Sequence, residues 1–169
     1  SFFFQQVYFA EIKGLTHLQL VALFPIYTLV AIVFNLVSGW ALDKFGLDPI
    51  LPFYQIPLVF AFILFYFVST QLGLALGLCF LAISAGANST LPTAFWAEYY
   101  GTQFLGTIKA LGTAIMVLGS AIGPGMTGFL IDWGFGIEKQ YLIFGLYFMF
   151  STLFMFIGIK IYSPYKIVE

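Results

Sequence analysis

Long apolar segments, separated by short polar turns, constrain this sequence more than any other feature. No Asp, Glu, Lys or Arg lies at the middle of any of them. A helix needs about 20 apolar residues to cross the roughly 30 Å of hydrocarbon in a bilayer. Five segments come close to or exceed that length, and we predict one membrane-spanning helix in each: residues 17–42, 50–68, 72–96, 107–131 and 141–161.

The composition indicates that lipid, rather than water, surrounds most of this chain. Of its 169 residues, 62% are hydrophobic and 8% are charged, whereas about a quarter of the residues in a soluble domain are charged. The net charge of −1 leaves no basic face, which excludes a nucleic-acid partner. Cys79 is the one cysteine, so an internal disulfide and a multi-cysteine metal site are excluded. With no buried constellation of acids and histidine, we expect no enzyme activity, catalytic residue, cofactor or metal.

The first segment, residues 1–10, is apolar and aromatic but covers about half the length of a membrane helix. Because the chain opens with Ser1 rather than Met, we interpret this segment as the remainder of a longer helix and the chain as a fragment. A polar turn follows, in which Thr16 is placed to cap the next helix. Pro25 is expected to kink that helix.

The lysines predict which side of the membrane each turn occupies. If the spans alternate, one side of the membrane holds four lysines and the other side two: Lys44, Lys109, Lys160 and Lys166 against Lys13 and Lys139. Loops in the cytoplasm carry an excess of Lys and Arg. The sequence therefore predicts a cytoplasmic C-terminus.

Three stretches, in order, carry a family resemblance. The first is the charged turn Gly39-Trp-Ala-Leu-Asp43-Lys44-Phe-Gly46. The second is Trp96-Ala-Glu98-Tyr-Tyr-Gly-Thr-Gln-Phe-Leu-Gly106-Thr-Ile-Lys109, and the third is Gly119-Ser-Ala-Ile-Gly123-Pro124-Gly125-Met-Thr-Gly128. Together they resemble the C-terminal half, spans seven to twelve, of transporters of the major facilitator superfamily, near the bacterial monocarboxylate and oxalate/formate branch.

The resemblance implies an all-α, polytopic membrane helix bundle: the C-terminal six-helix half of a transporter over residues 1–169, with its first helix truncated. It also implies an N-terminal half, missing here, against which this half rocks around a shared midplane site. The activity it implies is alternating-access transport of a small solute, such as a small organic acid, across a bacterial inner membrane. The alternative, from a different class, is a small homodimeric membrane scaffold or pore that is complete at this length.

By the same resemblance, the charged turns form a cytoplasmic gate that holds helix ends together while the transporter faces outward. Carboxylates are favoured at helix N-termini, which would help to hold the acidic members in place. The alternative is that these charges are solvated and only set the topology. The residues assigned to the gate and its loop motif are Gly39, Asp43, Lys44, Gly46, Glu98 and Lys109.

Small residues spaced four apart let membrane helices approach closely. The 72–96 segment contains two such pairs: Gly73 with Gly77, and Ala82 with Gly86. In the 107–131 segment we assign helix packing, and a bend at the proline, to Gly119, Gly123, Pro124 and Gly128. This stretch also matches the dinucleotide pattern Gly-x-Gly-x-x-Gly, but it lies inside an apolar helix without the preceding strand that such a fold needs.

Polar residues within the spans are candidates to line a substrate cavity near the midplane. By resemblance, spans seven, eight, ten and eleven surround that cavity, while nine and twelve pack outside. The alternative for each residue is a hydrogen bond to a neighbouring helix. The candidates are Gln5, Gln6, Tyr8, Tyr27, Thr28, Ser84 and Asn88.

Overall fold

The computed structural model describes residues 2–162, and the regular structure within that range is entirely helical. A 3₁₀ turn at Phe2–Phe4 precedes seven α-helices: α1 (Gln6–Ile12), α2 (His17–Val21), α3 (Phe24–Phe45), α4 (Ile56–Phe67), α5 (Gln71–Tyr100), α6 (Leu105–Asp132) and α7 (Ile137–Tyr162). Four stretches of this range are long and apolar enough to cross a membrane: His17–Phe45, Gln71–Tyr100, Leu105–Asp132 and Ile137–Ile161. The prediction of an all-α, polytopic membrane protein is confirmed.

The segment predicted as a single helix over residues 17–42 consists of α2 and α3. Thr16 caps α2 as predicted, because its hydroxyl oxygen accepts a hydrogen bond from the Gln19 N–H at 3.3 Å. The Gln19 side-chain oxygen in turn accepts from the Thr16 N–H at 2.9 Å, which completes a capping box. Pro25 lies in the first turn of α3 rather than in a helix interior. Its missing N–H is harmless there, since the first turn of a helix has no intrahelical acceptors for its donors.

The helix within the predicted segment 50–68 is shorter than expected, because α4 covers only Ile56–Phe67. Turns occupy residues 47–55 instead. Pro52 interrupts any helix through these turns, and Pro57 lies at the very start of α4, where proline is tolerated. At 1.5 Å per residue, α4 is about 18 Å long, which is shorter than the roughly 30 Å of hydrocarbon that a membrane-spanning helix crosses.

Helices α5, α6 and α7 extend beyond the ends predicted for them. The turn expected from Glu98 to Lys109 is reduced to residues 101–104, with Gly101 at a positive φ of 75°. Glu98 therefore belongs to the last turn of α5, and Lys109 to the beginning of α6. The sequence underestimated these helices because polar residues can continue a helix into the membrane interface.

Helix α5 packs against α3 and α4 through its small residues. A β-carbon at Gly86 would lie 2.8 Å from the Asn35 backbone nitrogen of α3, and one at Gly77 would lie 2.5 Å from the Phe65 ring of α4. Ala82 is fully buried between them along the same helix. The predicted use of small residues for close helix approach is thus confirmed for α5.

The interior contains two clusters, near opposite ends of α7. The aromatic core, defined here as Phe2, Phe9, Phe62, Phe65 and Tyr141, joins α1 and α4 to the start of α7. Its ring centroids lie 4.9–5.6 Å apart for the pairs Phe2–Phe65, Phe9–Tyr141 and Phe62–Tyr141, within the usual range for aromatic pairs. The second cluster contains Leu47, Leu51, Ala87 and Leu91, with Met155 and Ile159 from the end of α7 packed against it.

Helix α6 makes few contacts with the rest of the described chain. No atom outside its own turns lies within 4 Å of a β-carbon built at Gly119, Gly123 or Gly128. The packing predicted for these glycines is therefore not made within residues 2–162, because no neighbouring helix covers that face there. The helix continues through Pro124 to Asp132.

Candidate functional site

An open groove of about 240 Å³, the α5–α6 groove, lies between these two helices. Asn88, Pro92 and Trp96 follow one another at intervals of four along α5, so they lie on one face of that helix. The remaining lining residues are Thr93 from α5 and Lys109, Gly112, Thr113 and Met116 from α6. The groove thus brings together a residue predicted for the cavity, Asn88, and one predicted for the gate, Lys109.

The groove combines one cation with several neutral polar groups. Lys109 is exposed and, within residues 2–162, forms no ion pair. Trp96 is half-buried and lines the groove together with Asn88 and Thr113. A lysine ammonium donates up to three hydrogen bonds and accepts none. The groove is therefore suited to an anionic rather than a cationic ligand.

Of the two candidate glutamines in the first segment, Gln5 contacts the proline of α6. The Gln5 side-chain amide donates a hydrogen bond to the Pro124 carbonyl oxygen at 2.9 Å. The side-chain oxygens of Gln5 and Gln6 are both buried and have no hydrogen-bond partner within the described chain. A buried acceptor without a partner costs about 1–3 kcal/mol. Tyr8 lies on the surface.

Three other cavity candidates have local roles in the structure. Thr28 donates its hydroxyl to the Phe24 carbonyl, four residues earlier in α3, at 3.0 Å. Ser84 is buried and donates to the Tyr54 carbonyl at 2.9 Å, which ties α5 to the turns before α4. Tyr27 packs edge-on against Phe3. Only the Ser84 bond, which joins two elements, resembles the alternative of a hydrogen bond to a neighbouring helix; the Thr28 bond lies within its own helix and the Tyr27 contact is between rings.

A polar pair that the sequence reasoning missed joins α3 to α5. The Thr90 hydroxyl donates to the Asn35 side-chain oxygen at 3.2 Å. Asn35 is an isolated amide in the apolar run of α3, and such residues usually bond across a helix interface in membranes. That isolation was the signal in the sequence that could have identified the pair.

Two of the gate residues form no ion pair within the described chain. Neither Asp43 nor Lys109 has an ion-pair partner among residues 2–162. Lys44 lies over the Trp40 and Phe45 rings, with its ammonium 4.9 and 5.3 Å from the ring centroids. Gly46 ends α3 at a positive φ of 76°, which explains glycine at that position of the motif. Gly39 is open to its surroundings.

The helix-dipole argument for the gate acids is wrong. Asp43 lies in the last turn of α3 and Glu98 in the last turn of α5, whereas carboxylates are favoured at helix N-termini. A different carboxylate, that of Asp48, joins the α3 end to the α5 end: the Tyr99 hydroxyl donates a hydrogen bond to it at 2.7 Å. This bond holds the turn after α3 against the end of α5.

An ion pair connects three helix ends on the opposite side of the molecule. The Lys13 ammonium lies 2.5 Å from a Glu138 carboxylate oxygen and donates to the Tyr66 carbonyl at 3.0 Å. The Lys13 side chain is 1% exposed, whereas that of Glu138 is 38% exposed. Lys13 follows α1, Tyr66 lies in the last turn of α4, and Glu138 lies in the first turn of α7.

Within residues 2–162, no group of three or more His, Cys, Asp or Glu side chains is arranged to hold a metal ion. A wider cleft, about 840 Å³, lies between α5 and α7. It is lined mainly by aromatic and aliphatic side chains, including Phe95, Tyr147 and Phe154. Among the described residues that line it, none carries a charge for recognising a polar solute.

Comparison with known proteins identifies the family. The family model described as Major Facilitator Superfamily matches residues 1–166. The chain is also similar to a gentisate transporter from Corynebacterium glutamicum, with 25% identity over 143 residues. The match covers 82% of this chain and 31% of that relative. No solved structure matches the chain significantly. Because the family model covers nearly the whole sequence, this chain belongs to the Major Facilitator Superfamily.

Proposed function

We propose that this chain is part of a secondary transporter that moves a small organic acid across a bacterial inner membrane by alternating access. The observation that carries the proposal is the family match over residues 1–166. Similarity to a gentisate transporter supports an organic acid as the solute. This agrees with the monocarboxylate and oxalate/formate branch suggested by the sequence motifs.

The second element of the proposal is an N-terminal half that completes the transport path. The chain spans 31% of the length of its curated relative. Several groups that a partner half could contact lie open on the described helices, including Gly119 and Gly123 of α6 and the exposed Asn88 of α5. In this arrangement the described helices are spans eight to twelve, α1 is the end of span seven, and the substrate path lies along α5 and α6.

The third element is the cytoplasmic gate. In the outward-facing state, Asp43, Glu98 and Lys109 would contact charged groups of the N-terminal half and hold the cytoplasmic helix ends together. The exposure of Asp43 and Lys109, and the lack of an ion-pair partner for either within residues 2–162, supports contacts with another part of the transporter.

Uptake of radiolabelled gentisate by vesicles containing the native-length protein tests the proposal. We expect uptake above protein-free vesicles, and we expect Asp43→Asn to reduce its rate several-fold. Asp132→Asn is the matched control, because Asp132 is an exposed aspartate at the C-terminal end of α6 and outside the proposed gate. Equal uptake in the presence and absence of protein, for gentisate and for a panel of other organic acids, would refute the transport proposal. Unchanged uptake in Asp43→Asn would refute the gate alone.

A further inference from the structure

The α5–α6 groove contains a positive charge that no carboxylate within the described chain neutralises. Lys109 lines the groove and has no ion-pair partner among residues 2–162. The Lys109 side chain is exposed, so its attraction for an anion is that of a charge near a protein surface, and the rest of the lining must supply part of the affinity. The lysine therefore favours a negatively charged occupant.

The rest of the lining indicates the shape of that occupant. The indole of Trp96 and the apolar side chains of Pro92 and Met116 provide flat apolar surface. Asn88 and Thr113 add neutral donors and acceptors that could bond hydroxyl groups. From Asn88 to Trp96 the groove extends about 12 Å along α5, which is longer than a carboxylate alone. Its volume of about 240 Å³ is below the roughly 300 Å³ at which pockets for drug-sized ligands begin.

We propose that the α5–α6 groove binds a small planar carboxylate. The Lys109 ammonium pairs with the carboxylate, and Trp96 packs against the body of the ligand. This inference rests on the proposed function in one respect: it takes the ligand of the groove to be the solute that the transporter moves. The proposed gate would pair Lys109 with a charged group of the N-terminal half in the outward-facing state, so the carboxylate pairs with Lys109 only after the gate has opened. The gate gives no role to the Trp96 surface and the Asn88 amide, whereas the ligand does.

Equilibrium binding to the purified native-length protein tests the site. The probes are gentisate and benzoate, each compared with its neutral carboxamide. We expect Lys109→Gln to weaken carboxylate binding roughly tenfold or more, the usual effect of losing a charge-assisted hydrogen bond, and to leave carboxamide binding unchanged. Lys109→Arg keeps the charge and should retain most of the affinity. Lys139→Gln is the matched control, because Lys139 is an exposed lysine near the other end of α6.

A second pair of variants tests the aromatic surface. Trp96→Leu should weaken the binding of the carboxylates and of their carboxamides by similar, several-fold factors, since both kinds of ligand lose the same stacking surface. Trp133→Leu should change neither affinity, because Trp133 is 76% exposed just beyond the end of α6. Monodisperse elution of each variant shows that it is folded.

Several results would overturn the site. The first is an unchanged affinity of Lys109→Gln for the carboxylates. The second is an equal loss of affinity of Lys109→Gln for the carboxylates and the carboxamides, because an equal loss indicates a structural role for Lys109. Loss of uptake with unchanged affinity would assign Lys109 to the gate, paired with an acidic side chain. A wild-type protein that binds neither acid but takes up another solute would refute the site and leave the transport proposal standing. Binding of the acid without uptake would contradict the transport proposal and support the site.

Discussion

At the residue scale, Lys13 shows how a lysine can be almost fully buried in a membrane protein. Its three contacts are all at helix ends: the carboxylate in the first turn of α7, the carbonyl in the last turn of α4, and the C-terminus of α1, which it follows. Helix C-terminal carbonyls lack intrahelical donors and carry partial negative charge. Lys13 therefore satisfies groups that would otherwise be buried without a partner.

We expect Lys13→Met to lower the free energy of unfolding by about 1–3 kcal/mol, because it removes two charge-assisted contacts and leaves the Tyr66 carbonyl without its donor. Glu138→Gln should cost less, since Glu138 is partly hydrated and Lys13 keeps its bond to the carbonyl. The measurement is the midpoint of thermal unfolding in detergent. Lys139→Met serves as control, and an equal shift in this exposed neighbour would show that the ion pair contributes little.

The individual site residues could be predicted from sequence better than their arrangement could. The sequence predicts Asn88 for the substrate cavity, as a polar residue in a span, and the family resemblance places Lys109 in the gate, so the two residues are predicted for different sites. Their common groove depends on how α5 and α6 diverge, and no local pattern specifies that. The same reason explains why the contact between Lys13 and Glu138 was not foreseen, although each was expected on the same side of the membrane.

At the scale of the helices, α5 is the central element, and Gly86 determines how closely it approaches α3. A β-carbon at Gly86 would meet backbone atoms of Ala31, Phe34 and Asn35, which cannot rotate away as a side chain can. We expect Gly86→Ala to destabilise the protein by about 1–3 kcal/mol through overpacking. Unfolding midpoints would measure this, with Gly158→Ala as control because Gly158 has open space around it. Equal midpoints for the two variants would contradict the close approach.

Four of the five predicted spans correspond to stretches long and apolar enough to cross a membrane, because apolar length alone selects membrane helices, whereas the predicted span 50–68 contains only the 12-residue α4. Their ends were less accurate, for physical reasons that differ between elements. In α4 the two prolines move the helix start to Ile56. In α5 the chain continues as helix to Tyr100 because its aromatic residues suit the membrane interface. The break between α2 and α3 falls just before Pro25, which lacks the N–H needed to continue the helix from α2.

At the scale of the whole molecule, contacts between turns define two opposite ends. The bond between Asp48 and Tyr99 joins the turn after α3 to the end of α5. The cleft that contains Leu51, Tyr99 and Ile159 adds the end of α7 to the same side. The ion pair of Lys13 with Glu138 joins the turn after α1 to the start of α7 on the other side. This alternation agrees with the assignment of lysines to two sides, and the lysine-rich side is the one predicted to face the cytoplasm.

Labelling of single cysteines from outside intact cells tests that orientation. In a background without other reactive cysteines, including Cys79→Ser, Lys139→Cys should react with a membrane-impermeant maleimide in intact cells. Gln103→Cys, in the turn between α5 and α6, should react only after the membrane is opened. Both positions are exposed, so access to the reagent decides the outcome. The reverse pattern would place the C-terminus outside, and the groove near Lys109 would then open to the exterior, because Lys109 follows the 101–104 turn directly in α6.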